Sequence, residues 1–350
     1  MTPAPCVRSE ISGPIRPQGR ARIRVLAVGA IVSCVLLAIW SMCLGTPQLT
    51  PARAFDLLVN DDGSVARVVV WELRFPRLIV TVVCGATLGV VGACLQTALQ
   101  NPLAGPELTG VGAGASLAIA SIIILKIDLP PGGAQIVAAL SGMAAGLLVL
   151  TMTGVAKDAV HLALAGAALS AILNSMMVAV LTLGTAGDAL TLYQFLVGNL
   201  TDRRWADVRA GAPFALAGVI GLVALVPALN ALRLGDTGAR TVGVRPVRTR
   251  VLVLLAAAMA TAGVVAAAGP IGFVALAVPH AVRWLASTAD VRLVVWLSAL
   301  LGAVTLQTAD IVARSLIRPR ELPVGLITVF LGAPIALAVG RSARASRSSR

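Results

Sequence analysis

The stretch RFPRLIVTVVCGATLGVVGACLQTALQNPLAGPELTGVGAGASL, from Arg74 to Leu117, decides the fold of this 350-residue chain. Its apolar part, from Leu78 to Pro106, carries no charge until the glutamate that follows it. About 20 residues of α-helix are enough to cross the ~30 Å hydrocarbon core of a bilayer. Gly85, Gly89 and Gly92 recur at helical spacing and share one face, which lets a second helix approach closely. We therefore predict a transmembrane helix that packs tightly against its neighbours.

The composition extends this prediction to the whole chain. Hydrophobic residues make up 58% and charged residues only 12%, too few to cover a water-facing surface. The run from Val251 to Val282 would be about 48 Å long as one helix, so we divide it at the helix-breaking GPIG of Gly269 to Gly272. The sequence thus predicts an all-α polytopic membrane protein with about ten transmembrane helices. The other apolar runs are Val25 to Leu44, Leu108 to Leu125, Ala134 to Ala156, Ala159 to Gly187, Ala210 to Leu232, Leu293 to Ala309 and Leu322 to Gly340.

The distribution of arginine and lysine predicts the orientation. With both termini in the cytoplasm, the inner segments carry 17 basic and 5 acidic residues, and the outer segments 11 basic and 10 acidic. Such an inner excess of basic residues is typical of multi-pass proteins of a bacterial cell membrane. We expect a cytoplasmic tail over residues 1–24, one transmembrane domain over 25–340, and a basic cytoplasmic tail over 341–350 beside anionic lipid.

Three segments between the spans are long enough to fold locally. The outer loop from Gly45 to Pro76 contains an Asp-Asp-Gly turn. The outer segment from Asp188 to Arg209 contains LTLYQFLVGNL, which is too short to cross and predicts an interfacial or re-entrant helix. The inner loop from Asn230 to Arg250 is too charged for lipid, and its glycines favour a pair of short helices.

Several classes of function lack support in the sequence. The net charge of +13 is scattered between apolar runs, which disfavours a nucleic-acid partner. No metal-ligand spacing, catalytic motif or GxxxxGK[ST] phosphate loop is present, so we expect no enzyme, cofactor or metal site. No ionisable residue lies near the middle of a predicted span, which disfavours an ion-driven secondary carrier. That carrier and a polytopic membrane enzyme remain the alternatives from other classes.

Three stretches together resemble the FecCD family of permeases. They are Arg74 to Leu117, with its RxPR entry and QxxxxNPLAxP signature; GPIGFVALAVPHAVRWL, from Gly269 to Leu285; and ADIVARSLIRPRELPVGLITVFLGAPIAL, from Ala309 to Leu337. Ala275 and Ile335 depart from that family's glycine and phenylalanine, at positions that carry no chemistry.

The resemblance implies the membrane subunit of an ATP-binding cassette importer for ferric siderophores, with haem and cobalamin as alternative cargoes. It implies ten helices per subunit of the vitamin B12/siderophore type, a second identical or paralogous permease subunit, a cytoplasmic ATPase dimer that uses the ATP, and an extracytoplasmic binding protein. In that family the arginines of the RxPR and ADxxAR motifs face glutamates of the binding protein. They correspond to Arg74, Arg77 and Arg314 here. The alternative is that these arginines only anchor helix ends at the headgroups.

The inner loop is similar to the family segment that couples the permease to its ATPase. LRLGDTGARTVGV, from Leu232 to Val244, resembles the L-x-L-G-x-x-x-A-x-x-L-G-V pattern of the coupling helices. A solvated basic loop is the alternative. The expected ATPase contacts are Leu234, Gly235, Ala239, Gly243 and Val244. The expected structural motif residues are Asn101, Pro102, Pro279, His280, Pro323, Gly325 and Pro334.

Overall fold

The computed structural model describes residues 17–152, 159–317 and 321–332, and within those ranges every regular element is helical. A π-helical segment, Val69–Arg74, joins α3 to α4, and a 3-10 turn, Pro106–Thr109, precedes α5. A final helix occupies residues 324–332. The helices are α1 Pro17–Cys43, α2 Pro51–Val59, α3 Val65–Val68, α4 Phe75–Ala98, α5 Val111–Ile124, α6 Gly133–Met152, α7 Ala159–Leu181, α8 Ala186–Leu196, α9 Trp205–Ala224, α10 Val226–Leu232, α11 Gly235–Thr241, α12 Pro246–Ala268, α13 Val274–Ala286 and α14 Val291–Ser315.

The number of spans agrees with the sequence. Among the described residues, seven helical stretches are long and apolar enough to cross a membrane: α1, the continuous α3–α4 stretch, α6, α7, α9, α12 and α14. Two shorter apolar helices, α5 and α13, and the helix at 324–332 bring the number to ten. The prediction of an all-α membrane protein with about ten spans is confirmed.

The short elements also fall where the sequence predicts them. α8 lies in the outer segment and begins with a capping box, in which Thr185 and Asp188 satisfy each other's backbone N–H groups. α10 and α11 form the predicted pair in the inner loop. Gly235, at a φ of +80°, starts α11 with a backbone turn that a residue with a Cβ rarely adopts.

The GPIG sequence divides the long apolar run as expected. α12 ends at Ala268, whose carbonyl accepts from the Asn199 N–H at 3.0 Å. Gly269 follows at a φ of +75°, and a Cβ there would lie 2.5 Å from the Phe195 carbonyl oxygen. α13 begins only at Val274. The break is therefore fixed by the close approach of the segment after α8.

α4 lies at the centre of the bundle, where it packs against α9, α12, α13 and α14. A Cβ added at Gly85 or Gly89 would overlap the carbonyl groups of Gly302 and Ser298 on α14, and one at Gly92 would overlap Ala275 on α13. The predicted glycine face is confirmed, and it sets how closely α14 approaches.

A charged residue outside the spans also lies near their middle. α5 is only 14 residues long, about 21 Å, so the chain after α4 must turn back into the membrane before α5 begins. Glu107, in the 3-10 turn, lines a cavity beside Leu88, the midpoint of α4. An ionisable side chain therefore does reach mid-membrane depth. The predicted spans do not include this carboxylate at their middle, because Glu107 lies in the turn between two helices.

The α4–α14 contact gives a first prediction. Gly89→Ala should lower the thermal unfolding temperature of the purified protein, since overpacking typically costs about 1–3 kcal/mol. Gly29→Ala on α1 is the matched control, because nothing lies within 4 Å of a Cβ there. It should leave the unfolding temperature unchanged or raise it slightly. Equal effects of the two changes would show that α14 does not depend on this contact.

Candidate functional site

On the face that the sequence predicts to be outer, two arginines and two carboxylates form one cluster, which we call the outer arginine cluster: Arg77, Arg314, Asp310 and Glu321. Arg77, at the start of α4, donates to Asp310 Oδ1 from Nε at 3.1 Å and from a terminal nitrogen at 2.7 Å, and to Glu321 at 2.8 Å. Arg314 lies 3.7 Å from Asp310 and 4.0 Å from Glu321. The cluster joins α4, α14 and the segment that leads into the last helix.

The same face holds the end of α1 in place. Arg74 donates to the carbonyls of Met42 at 2.7 Å and Pro47 at 2.6 Å. Arg314 donates to the Ser41 hydroxyl at 3.1 Å and to the Leu44 carbonyl at 2.9 Å. Backbone carbonyls at a helix end have no intrahelical donors, and here the two guanidinium groups supply them.

Arginines that contact a binding protein directly would be exposed, whereas these three arginines are largely buried. Arg74 and Arg77 are 6% and 9% exposed, and the Arg314 side chain is 9% exposed, because each guanidinium group finds acceptors inside the chain. Glu321 is the most accessible member of the cluster, with its side chain 30% exposed. Burial alone would raise the pKa of Glu321, but Arg77, Thr201 and Arg314 outweigh it and hold that pKa below its usual value.

On the opposite face, which the sequence predicts to be inner, an ion pair connects α11 to the bundle. Arg250 of α12 contacts both oxygens of Asp236 on α11, at 2.7 and 3.1 Å, and donates to the Ala98 carbonyl at the end of α4 at 3.0 Å. Gln100 also donates to the Leu232 carbonyl at 3.0 Å. The inner pair is therefore connected to α4 and α12 by polar contacts.

The predicted coupling residues separate into surface and interior positions. Leu234 is 65% exposed, Gly243 is exposed and Gly235 and Val244 are half-buried. Ala239 is fully buried in the chain's own core, so its assignment as a contact residue needs correction. The Ala239 carbonyl accepts a hydrogen bond from the Val244 N–H at 3.0 Å. Ala239 supports the loop from within.

Beside these helices lies a cavity of about 930 Å³. Arg233, His280 and Arg283 line it, and no aspartate or glutamate does. Arg283 is held by neutral acceptors, Gln96 Oε1 at 2.5 Å and the Thr97 hydroxyl at 3.5 Å, so its charge is not cancelled. The inner face thus presents an uncompensated basic cavity, whereas the arginines of the outer cluster are paired with carboxylates.

The profile of the FecCD transport family matches residues 33–341 of the chain. The chain belongs to this family. It is 34% identical over 327 residues to the Fe(3+)-citrate import system permease protein YfmD of Bacillus subtilis (strain 168), covering 93% of this chain and 96% of the relative. It is 38% identical over 307 residues to the Fe(3+) dicitrate transport system permease protein FecD of Escherichia coli (strain K12), covering 87% and 93%.

Further comparisons support the same membership. The hemin transport system permease protein HmuU of Yersinia pestis is 33% identical over 325 residues, covering 90% of this chain and 95% of that protein. A solved structure described as an inward-facing metal-chelate type ABC transporter superposes with a TM-score of 0.79 at 27% identity, covering 91% of this chain and 99% of that chain. The chain is therefore a transport permease subunit and a multi-pass membrane protein.

The family motif residues serve local structure on both faces. Asn101 accepts the Leu103 N–H at 2.9 Å and lines the basic cavity with Pro102. Pro279 is buried inside α13, one residue before His280, which also lines the cavity. Pro323 precedes the last helix, and the Gly325 N–H donates to the Gly198 carbonyl at 3.2 Å. Pro334 lies outside the described residues.

The sequence analysis missed the partners of the arginines. Asp310 and Glu321 stand in the quoted ADIVAR and RELPVG sequences, and a carboxylate in the same motif as an arginine is a signal for an internal ion pair. Gln96 was likewise quoted without a role, although it accepts from Arg283 and its own amide donates to the Leu276 carbonyl at 3.1 Å.

The outer arginine cluster gives a second prediction. Arg77→Met leaves Asp310 and Glu321 without their main partner, and breaking a buried pair in this way typically costs about 3–5 kcal/mol. We expect a large fall in the thermal unfolding temperature in detergent. Arg53→Met is the control, because Arg53 pairs with Asp56 and Asp62 while 48% exposed and should show little change. If the cluster did not stabilise the fold, Arg77→Met and Arg53→Met would lower the unfolding temperature by the same small amount.

Proposed function

We propose that this FecCD-family chain is the membrane permease subunit of an ATP-binding cassette importer that carries a ferric chelate into the cell. The observation that carries the proposal is the end-to-end similarity to permeases named for Fe(3+)-citrate import, which covers 93% of this chain for YfmD and 87% for FecD. A siderophore of the same chemistry, an iron(III) ion held by oxygen-rich ligands, is the cargo we infer.

The physical role of the chain is to supply a pathway rather than a tight site. The helices consist mainly of leucine, valine, alanine and glycine, and a site that bound its cargo tightly would also retain it. We infer that specificity resides in a separate binding protein. The chain itself uses no cofactor, and the ATP is hydrolysed by another polypeptide.

The inner face is where we place that ATPase. Leu234 projects from the junction of α10 and α11 and is 65% exposed. The adjacent basic cavity, lined by Arg233 and Arg283, complements acidic side chains of a partner. Arg250 joins α11 to α12 and to the end of α4, so a displacement of α11 would be passed to the central helix. This is how ATP-driven closure of the partner would tilt the bundle.

The outer face is where we place the binding protein. Arg74, Arg77 and Arg314 hold the end of α1 and the segment around Glu321, and we propose that they fix the shape of the docking surface from beneath. This orientation puts both termini in the cytoplasm. A second permease subunit would cover α7, which is largely exposed along its described part, at Leu164, Ile172, Met176 and Val178 among others.

Transport driven by ATP distinguishes this proposal from its rival. Proteoliposomes that contain the chain, its copurifying ATPase and a binding protein loaded with ferric citrate should accumulate iron only when ATP is supplied on the ATPase side. Uptake by the chain alone under a proton or sodium gradient would instead establish a secondary carrier and overturn the proposal.

The coupling role gives a separate prediction. Leu234→Asp replaces an exposed apolar contact and should reduce ATP-dependent uptake at least tenfold while leaving the unfolding temperature unchanged. Leu183→Asp is the control, since Leu183 is 74% exposed in the outer turn after α7. It should transport at the wild-type rate. Normal coupling in Leu234→Asp would place the ATPase elsewhere.

A further inference from the structure

A small cavity within the membrane contains the polar groups that the transport proposal leaves unused. It has a volume of about 130 Å³ and lies between α4, α12, the 3-10 turn before α5 and the break after α12. Leu88 of α4 and Thr261 of α12 both line it. At about 1.5 Å per residue, Leu88 is some 15–20 Å from either end of α4. The cavity therefore lies in the interior of the ~30 Å hydrocarbon core.

Glu107 is exposed at the surface of the single chain, and it also contributes a carboxylate to the lining of this cavity. The 3-10 turn places its side chain between two glycines: a Cβ at Gly105 would overlap one carboxylate oxygen, and a Cβ at Gly272 would lie 3.9 Å from the other. Gly272 directly precedes Phe273 at the start of α13, so the carboxylate lies close to the beginning of that helix. The 3-10 turn and the break after α12 thus leave space for the carboxylate.

Thr261 supplies a second polar group with no partner. Many helical threonine hydroxyls in the described residues donate to a carbonyl one turn earlier, as Thr81, Thr97 and Thr305 do at 2.7 Å. Thr261 is 6% exposed, yet its hydroxyl forms no hydrogen bond within the described residues. An unpaired buried hydroxyl is costly, so its presence in the lining of this cavity points to a ligand.

The charge of the cavity is also uncompensated. No arginine, lysine or histidine lines it, and Glu107 forms no ion pair within the described part of the chain. A lone carboxylate at this depth is unfavourable unless it is paired or protonated. The rest of the lining is apolar side chain and the non-helical backbone of Pro270, Ile271 and Gly272. Broken helices at the midplane are where membrane proteins commonly bind ions.

We propose that Glu107 and Thr261 form a binding site for a single positive charge at the centre of the membrane. The carboxylate neutralises the charge, and the threonine hydroxyl completes its coordination. About 130 Å³ accommodates an alkali cation with a few waters, each of which takes about 30 Å³. The same chemistry would receive a positively charged group of a chelate in transit. The site depends on the membrane position of the cavity and not on the identity of the cargo.

Thermal unfolding of the purified full chain at pH 8 tests the site. At equal ionic strength, sodium or potassium chloride should raise the unfolding temperature above that in N-methyl-D-glucamine chloride, because a ligand that binds the folded state stabilises it. Glu107→Gln should abolish the difference, and Thr261→Val should weaken the apparent cation affinity about tenfold. Thr81→Val is the matched control, since the Thr81 hydroxyl is already satisfied within α4, and it should retain the wild-type response.

A second set of measurements distinguishes an alkali cation from a positively charged group of a chelate. If alkali cations have no effect, a cationic ferric chelate should raise the unfolding temperature of the wild type, whereas an anionic chelate of similar size should not. Glu107→Gln should remove that response as well. Should Glu107→Gln fail to fold, Thr261→Val alone carries the comparison with Thr81→Val.

Three results would overturn the proposal. One is an unfolding temperature that is the same with every salt and chelate. Another is a cation response that survives in Glu107→Gln or is equal in Thr261→Val and Thr81→Val. The third is an infrared band of a protonated carboxyl group at pH 8 and saturating cation, present in the wild type and absent from Glu107→Gln, which would show that a proton alone neutralises the residue.

Discussion

The contact of α4 with α14 is the constraint on which the rest of the bundle depends. In lipid, burial of apolar side chains gives no strong preference for one helix neighbour over another, so close backbone approach and polar contacts decide the arrangement. Gly85 and Gly89 bring α4 against the carbonyls of Gly302 and Ser298. That approach places Arg77, at the outer end of α4, beside Asp310 near the outer end of α14. The glycine face and the outer arginine cluster therefore act on the same pair of helices.

The two ends of α4 differ in how they use charge. At the outer end, arginines meet carboxylates and backbone carbonyls of the same chain, so the cluster is nearly closed to a partner. At the inner end, Arg283 is held by Gln96 and Thr97, which bring no negative charge. A charge without an internal counterion remains available to another molecule. This contrast favours a partner at the inner face that binds by charge complementarity. At the outer face it favours a partner that binds by shape complementarity to the loops.

Interruption of the helices creates the polar centre of the molecule. The chain leaves helical geometry after α4 and again after α12, and the two breaks meet around Glu107 and Gly272. Non-helical backbone is tolerated at this depth only where protein surrounds it or where it lines a cavity. Here both non-helical segments line the same cavity. The carboxylate of Glu107 lies close to Gly272, just before the start of α13, where a helix leaves N–H groups without internal partners. The breaks are consequently both a structural joint and the place where a charge can be held.

The sequence by itself determined the helical class, about ten spans, the division at GPIG, the inner helix pair and the family, because apolar run length, breakers and motifs are local properties of the chain. Only the tertiary structure decided which arginines are exposed, that Ala239 faces inward, and that Glu107 reaches the midplane. Each of these depends on which groups the fold brings together: Asp310 and Glu321 with Arg77, the bundle core with Ala239, and α12 with the turn before α5. The separation of two residues along the chain does not show whether they are in contact in the fold, because packing decides burial and pairing.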